Sequence, residues 1–266
     1  MFELRYVSRK TLPLWLHGLK DRRCALDNIF LAGVQKTGSQ WLLQVFSDPD
    51  LLASTGMKIY PQHNYDVDEF HRRFPRNAIV PGLYVSYWQY QLFIDKPERY
   101  RTICVLRDPR DLVVSWYHSM LKTHVEMDGV SDIRRMLQAM DRSEGLSYSI
   151  KLLGTKLAEM RSWIELGSDD ANVLIVRLEE ITSDVNHFSK IFSFCGLDFP
   201  TAFVEGLFSS YSKANMREKD LAARTDKSES HYRIQGSSYQ DEFLPEHYTQ
   251  FYDITGNLVD ALGYGR

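Results

Sequence analysis

Cysteine is scarce in this sequence, and its three residues stand far apart. Cys24, Cys104 and Cys195 form no C-x-x-C pair, which argues against a disulfide scaffold or a zinc ribbon. Cys104 and Cys195 lie in apolar runs and read as core residues. N-x-[ST] sequons are missing altogether. No apolar run approaches the length of a membrane span, and Leu12 to Leu16 is too short and proline-interrupted for a signal peptide. The chain is therefore expected to be cytoplasmic, with no membrane partner. Charge of one sign is also lacking: a net −3 leaves no footprint for duplex nucleic acid. No repeat period or low-complexity tract is visible.

What is present suits one large globular domain. With 44% hydrophobic and 25% charged residues, 266 residues are enough to bury a sizeable core. Residues 1–27 read as a helical or irregular lead-in and residues 28–266 as the domain. The organising stretch is Asn28 to Trp41, NIFLAGVQKTGSQW. Ile29 to Val34 reads as a buried strand. The run breaks at Gln35-Lys36-Thr37-Gly38, and a helical period resumes through Trp41, Leu42, Val45 and Phe46. Strand, glycine turn and helix aim a helix N-terminus and several backbone N–H groups at one point, which makes an anion site.

Gly33 and Gly38 supply the G-x-x-x-x-G frame of a phosphate loop, but Ser39-Gln40 follow where an NTPase has Lys and then Ser or Thr. The lysine sits inside the loop, as Lys36. Without the Mg²⁺-holding hydroxyl directly after it, a kinase or ATPase loses a central part. An ordinary strand-to-helix turn with a surface lysine is the alternative.

Downstream, Ser47-Asp48-Pro49-Asp50 reads as a turn. Residues Ser54 to Arg76 are irregular and rich in His, Tyr, Asp and Pro, a candidate for contacts to an acceptor or else a solvated loop. Ala78 to Tyr87 is a strand candidate interrupted by Pro81-Gly82. Arg101 to Leu106, RTICVL, is a strong strand; Asp108 caps a following helix and Pro109 takes its first position. Helices are expected at Ser131 to Met140, Gly145 to Leu166, Asp184 to Cys195 and Thr201 to Tyr211. Asn172 to Leu178 reads as a third buried strand, and Lys213 to Ser230 as a flexible loop or lid. Strands alternating with helices predict an α/β fold with a central, mostly parallel sheet flanked by helices. Lys36 and Arg107 each follow a strand, so both are expected at the crevice beyond the strand ends.

Gln35-Lys36-Thr37-Gly38-Ser39-Gln40-Trp41 resembles the 5′-phosphosulfate loop of the PAPS-dependent sulfotransferases, written P-K-[ST]-G-T-[ST]-W or Q-K-[ST]-G-T, with Ser39 for Thr and Gln40 for a second hydroxyl residue. Tyr100 to His118, YRTICVLRDPRDLVVSWYH, resembles the family's 3′-phosphate segment. The family's phosphate-holding arginine and serine fall on Arg107 and Ser115. The alternative for these two is a structural Arg107–Asp108 pair and a solvated serine; His118 reads as packed beneath the helix. His231 to His247 resembles the family's late loop, with Arg233 and Gly236 the carriers of a further 3′-phosphate contact. The resemblance covers most of the chain from Asn28 onward and implies a P-loop-NTPase-like sulfotransferase fold.

The chemistry it implies is transfer of a sulfuryl group from PAPS to a hydroxyl or amine of a small-molecule or glycan-type acceptor, releasing PAP, with no metal. Such in-line displacement depends on positioning and on stabilising charge at the leaving phosphate. Lys36 and the backbone N–H groups of Thr37 to Gln40 are the expected stabilisers. Trp41 offers a face for adenine, or else fills the core. The general base is open. Cytosolic family members carry a histidine on the strand before the 3′-phosphate segment, but Ile79 to Tyr84 is IVPGLY here. His63, Glu69 and His124 are the candidates. A small-molecule kinase with a degenerate phosphate loop and a catalytically silent PAP-binding regulatory protein are the competing readings.

Overall fold

The computed structural model describes residues 24–61, 73–124, 129–223 and 238–265. Its centre is a sheet of β1 (Asn28–Gly33), β2 (Lys58–Ile59), β3 (Ala78–Tyr84), β4 (Tyr100–Leu106) and β5 (Val173–Arg177). The order is β2-β3-β1-β4-β5, and every pairing is parallel. Parallel neighbours require crossover connections, and helices packed on both faces supply them. This is the α/β architecture expected from the alternation of elements.

β1 is central, and all six of its residues are buried. Its side chains alternate between two cores. Phe30, Ala32 and Val34 face one, with Val80, Cys104, Leu106 and Trp163. Ile29 and Leu31 face the other, with Ile79, Ile103, Val105 and the buried side of α1 (Ser39–Phe46). Burial on both faces explains why β1 and β4 read as continuous apolar runs rather than alternating ones.

β3 breaks its own alternation. Phe30 pairs with Val80, but Ala32 pairs with Leu83, so one extra residue enters β3 at Pro81-Gly82. Gly82 adopts φ +77° there. Before this bulge the even-numbered Ala78 and Val80 face the first core; after it the odd-numbered Leu83 and Val85 do. Tyr84 is thereby turned to the α1 side, level with Gly33. Bulges re-aim side chains in this way.

Several local expectations change on folding. Asp48-Pro49 is a helix start, not a turn: Asp48 accepts the N–H groups of Asp50 and Leu51, and α2 (Pro49–Thr55) follows, while α3 (Tyr87–Phe93) comes after β3. The two-residue β2 adds an edge to the sheet within the stretch read as irregular. Gly145 to Leu166 divides between two helices, Arg142–Leu152 and Gly154–Gly167. β5 is a half-exposed edge strand rather than a buried one. Lys213–Ala223 is helical, whereas residues 224–230 of the expected loop lie outside the described residues. Among the described residues, no helix is long and apolar enough to cross a membrane.

Candidate active site

The loop joining β1 to α1 is built from unusual backbone. Gly33, Lys36 and Gly38 have φ of +137°, +70° and +98°. Left-handed residues interleaved with ordinary ones turn backbone N–H groups into a concavity that suits an anion. Thr37 is fully buried and donates its hydroxyl to the Val34 carbonyl at 2.8 Å, which ties the loop across its own base. Gln35 and Gln40 are exposed at the rim.

Gly38 cannot be replaced without strain. An added Cβ would press on the Leu178 side chain, at a φ that side chains rarely adopt. Gly38→Ala is expected to lower unfolding free energy by about 1–3 kcal/mol, as measured by denaturant titration.

The second half of the site begins where β4 ends. Asp108 caps α4 (Pro109–His118) by accepting the Arg110 N–H at 2.9 Å, with Pro109 in the first turn. The carboxylate also holds the buried Arg110 guanidinium, at 2.7 and 3.0 Å. Arg110 in turn reaches the Gly265 carbonyl and lies over the Tyr239 ring, fastening the C-terminal segment. Asp108 therefore pairs with Arg110 and not with Arg107. Among the described residues, the ion pairs of Arg107 are long, 3.9 Å to Asp111 and 4.0 Å to Glu179, and its side chain is 26% exposed. Contacts of that length cost little to exchange for a phosphate.

Asp111, Ser115 and Ser119 recur every four residues and share one side of the helix. Ser119 opens a π-helical turn, Ser119–Thr123, directly after α4. Such turns often mark functional sites. Its hydroxyl accepts from Lys36 Nζ at 3.0 Å. This bond joins the loop after β1 to the helix after β4, so the side that carries half-buried Ser115 faces the lysine. His124 closes the π-helical turn, donating its N–H to the Ser119 carbonyl. Its own carbonyl accepts from Arg134.

A model of the sulfotransferase domain matches residues 26–263. The chain belongs to the sulfotransferase family. A curated relative, Sulfotransferase 6B1 of Danio rerio, is 27% identical over 203 residues, 71% of this chain and 64% of that protein. The match thus spans less than two thirds of that relative's length. In fold, the chain is similar to mouse sulfotransferase SULT7A1 complexed with PAP, with a TM-score of 0.63 at 20% identity, covering 94% of this chain and 93% of that one. Retinol dehydratase in complex with androsterone and PAP gives a TM-score of 0.54 at 14% identity, with coverage of 90% and 82%. A complex of retinol dehydratase with retinol and PAP gives the same TM-score at 15% identity, with the same coverage.

Not every expected site residue of this sulfotransferase-family chain gathers at the loop. Trp41 is 6% exposed, its indole N–H is bonded to the Tyr211 carbonyl at 2.7 Å, and its ring packs against Phe188. These contacts are those of a core tryptophan, the alternative the sequence offered for this residue. His63, Glu69, Arg233 and Gly236 lie outside the described residues. His118 is more than a packing residue: its Nε2 lies 2.7 and 2.9 Å from the oxygens of buried Glu242, which Arg142 also pairs at 3.0 Å.

Two residues that meet at this candidate site were not singled out individually from the sequence. Ser119 was legible only as a four-residue step beyond Ser115. Tyr84 was legible only through the Pro81-Gly82 break. Its hydroxyl lies 2.8 Å from Ser39 Oγ and receives Gln40 Nε2 at 3.3 Å.

The Glu242 cluster has a pH consequence. Burial alone raises its carboxyl, but hydrogen bonds and attraction from His118 and Arg142 outweigh this and hold it below the usual 4.5. A depressed folded value contributes stability above the unfolded one, and that stability is lost as pH falls through the folded value. Acid denaturation of the wild type below about pH 4.5 should therefore carry a Glu242 contribution. Glu242→Gln is expected to be less stable at neutral pH and to flatten the fall below pH 4.5, as read from denaturant midpoints across pH.

Proposed function

We propose that this member of the sulfotransferase family moves a sulfuryl group from PAPS to a hydroxyl or amine of a small-molecule acceptor and releases PAP. The observation that carries the reading is Lys36. It stands in a phosphate loop and is bonded to the helix that Arg107 precedes, so one crevice holds cations for both ends of a bisphosphorylated nucleotide. The residues suit that ligand: the loop's left-handed backbone at Gly33, Lys36 and Gly38 suits an anion, and among the described residues the guanidinium is held by long pairs.

In this reading the loop N–H groups of Thr37 to Gln40, with Lys36, bind the 5′ side. Arg107 and Ser115 bind the 3′-phosphate, Arg as a planar fork and Ser as a neutral donor. PAPS supplies the activated sulfuryl group. Lys36 is the charge placed to stabilise the leaving phosphate. Arg233 and Gly236 are assigned a further 3′-phosphate contact. Androsterone and retinol in structures of the same fold support a small molecule over a glycan. Three cysteines without disulfides, two of them buried with thiols pushed up by burial, accord with a reducing, cytoplasmic setting.

The test is tryptophan fluorescence titration with PAP, with and without Mg²⁺, followed by transfer of labelled sulfur from PAPS to a panel of alcohols, phenols and amines. Metal-independent PAP binding with labelled product is the expected result. Preference for ATP with Mg²⁺ would return the kinase alternative, and PAP binding without transfer to any acceptor would favour the silent regulatory one.

A further inference from the structure

The proposed reaction releases a proton from the acceptor, and none of the residues assigned so far takes it. Of the three candidates named from the sequence, His63 and Glu69 lie outside the described residues, and His124 belongs to the far end of the π-helical turn. Among the described residues, the titratable side chain that contacts the phosphate loop on its β3 side is Tyr84. It ends β3 at the C-terminal edge of the sheet, where ligands of parallel sheets bind. The bulge at Pro81-Gly82 puts it there. In an unbulged strand Leu83 would pair with Gly33, and residue 84 would face the opposite core, away from α1.

Among the described residues, the hydrogen bonds of Tyr84 leave one acceptor position open. A tyrosine hydroxyl donates once and accepts twice. At 2.8 Å from Ser39 Oγ it can donate there, and Gln40 Nε2 occupies one acceptor position at 3.3 Å. The remaining lone pair can accept a proton. Ser39 is the first residue of α1 and 6% exposed, so the hydroxyl chain runs from a partly exposed phenol to the base of the anion cradle.

We propose that Tyr84 is a catalytic residue that receives the acceptor's proton and relays it through Ser39; the assignment rests on the sulfuryl-transfer reading above. As the acceptor oxygen bonds to sulfur and the sulfur–oxygen bond to the phosphate breaks, Tyr84 Oη accepts the acceptor's proton. Tyr84 passes its own proton to Ser39 Oγ, and Ser39 passes its proton to the released phosphate. Each hydroxyl ends neutral, so no buried charge is created in the protein, and no phenolate has to form beforehand. The short Ser39–Tyr84 spacing allows the proton to move along the chain without rearrangement.

The experiment compares wild type, Tyr84→Phe and Tyr84→His in steady-state transfer from PAPS to an alcohol or phenol found for the wild type, and in PAP titration by fluorescence. Removing the hydroxyl is expected to lower kcat by about 10²–10⁴-fold, with PAP affinity unchanged within about twofold. Tyr84→His, which restores a proton acceptor, should recover at least about tenfold of the Tyr84→Phe loss. Unchanged kcat in Tyr84→Phe overturns the assignment while the transfer reading stands. So does a kcat loss matched by weakened PAP binding, which would make Tyr84 a clamp on the loop. So does a Tyr84→His protein that binds PAP normally but turns over no faster than Tyr84→Phe. Wild-type protein that binds PAP and transfers to no acceptor overturns both the reading and the assignment.

Discussion

Lys36→Met is expected to lower kcat by about a hundred- to a thousandfold. The substitution keeps the side-chain stem and removes the ammonium. Methionine carries a Cβ as lysine does, so the strain at φ +70° is similar in both proteins and the effect reports charge. The proposed reaction builds charge on the phosphate that departs, and an ammonium beside it binds that developing charge more strongly than the ground state. Interactions of that kind raise kcat rather than affinity. PAP and PAPS binding should therefore weaken much less than turnover. Steady-state kinetics beside a PAP titration separate the two, and equal losses in both would reduce Lys36 to a ground-state binding residue. The hydrogen bond to Ser119 is a second check: Ser119→Ala removes that one hydrogen bond, keeps the ammonium, and should cost far less than Lys36→Met.

Arg107→Ala should act in the opposite proportion. A charge-assisted hydrogen bond from a guanidinium to a phosphate contributes about 1.5–3 kcal/mol, so loss of one such bond is expected to lower PAP affinity by about ten- to two-hundredfold. The folded protein loses little, because both ion pairs of Arg107 are long and partly exposed and such pairs contribute about 0–1 kcal/mol. A PAP titration with a parallel denaturation curve measures both quantities. Arg110→Ala is the contrast. It leaves Asp108 buried without its partner and is expected to destabilise by about 3–5 kcal/mol. A large stability loss in Arg107→Ala would instead make it the structural arginine.

The site divides by how local its causes are. β1, the left-handed loop and α1 were legible because fourteen consecutive residues, Asn28 to Trp41, contain the whole device: an apolar run, glycines where backbone sterics demand them, then a helical period. The start of α4 was legible for the same reason, since Asp108 and Pro109 cap and open their own helix. Asp48-Pro49 has the same chemistry and does start a helix, but its neighbouring Ser47 and Asp50 made it resemble a turn. The division of partners between Arg107 and Arg110 was not legible, because one basic residue precedes the Asp108 cap and the other lies in the first turn after it, and only the folded backbone decides which of them reaches the carboxylate.

Sequence alone settled the alternation of strands and helices, the parallel sheet they imply, and the two segments that carry cations to its C-terminal edge. Each of these depends on residues close together in the chain, where hydrophobic period and backbone preference act directly. Tertiary structure decided which distant groups meet: Lys36 with Ser119, 83 positions apart, Trp41 with Tyr211 in the core, and Tyr84 with Ser39 at the loop. The last of these turns on a single inserted residue in β3. Side chains alternate with a period of two along a strand, so that insertion moves a tyrosine from one face of the sheet to the other, and only pairing with β1 determines the register in which it does so.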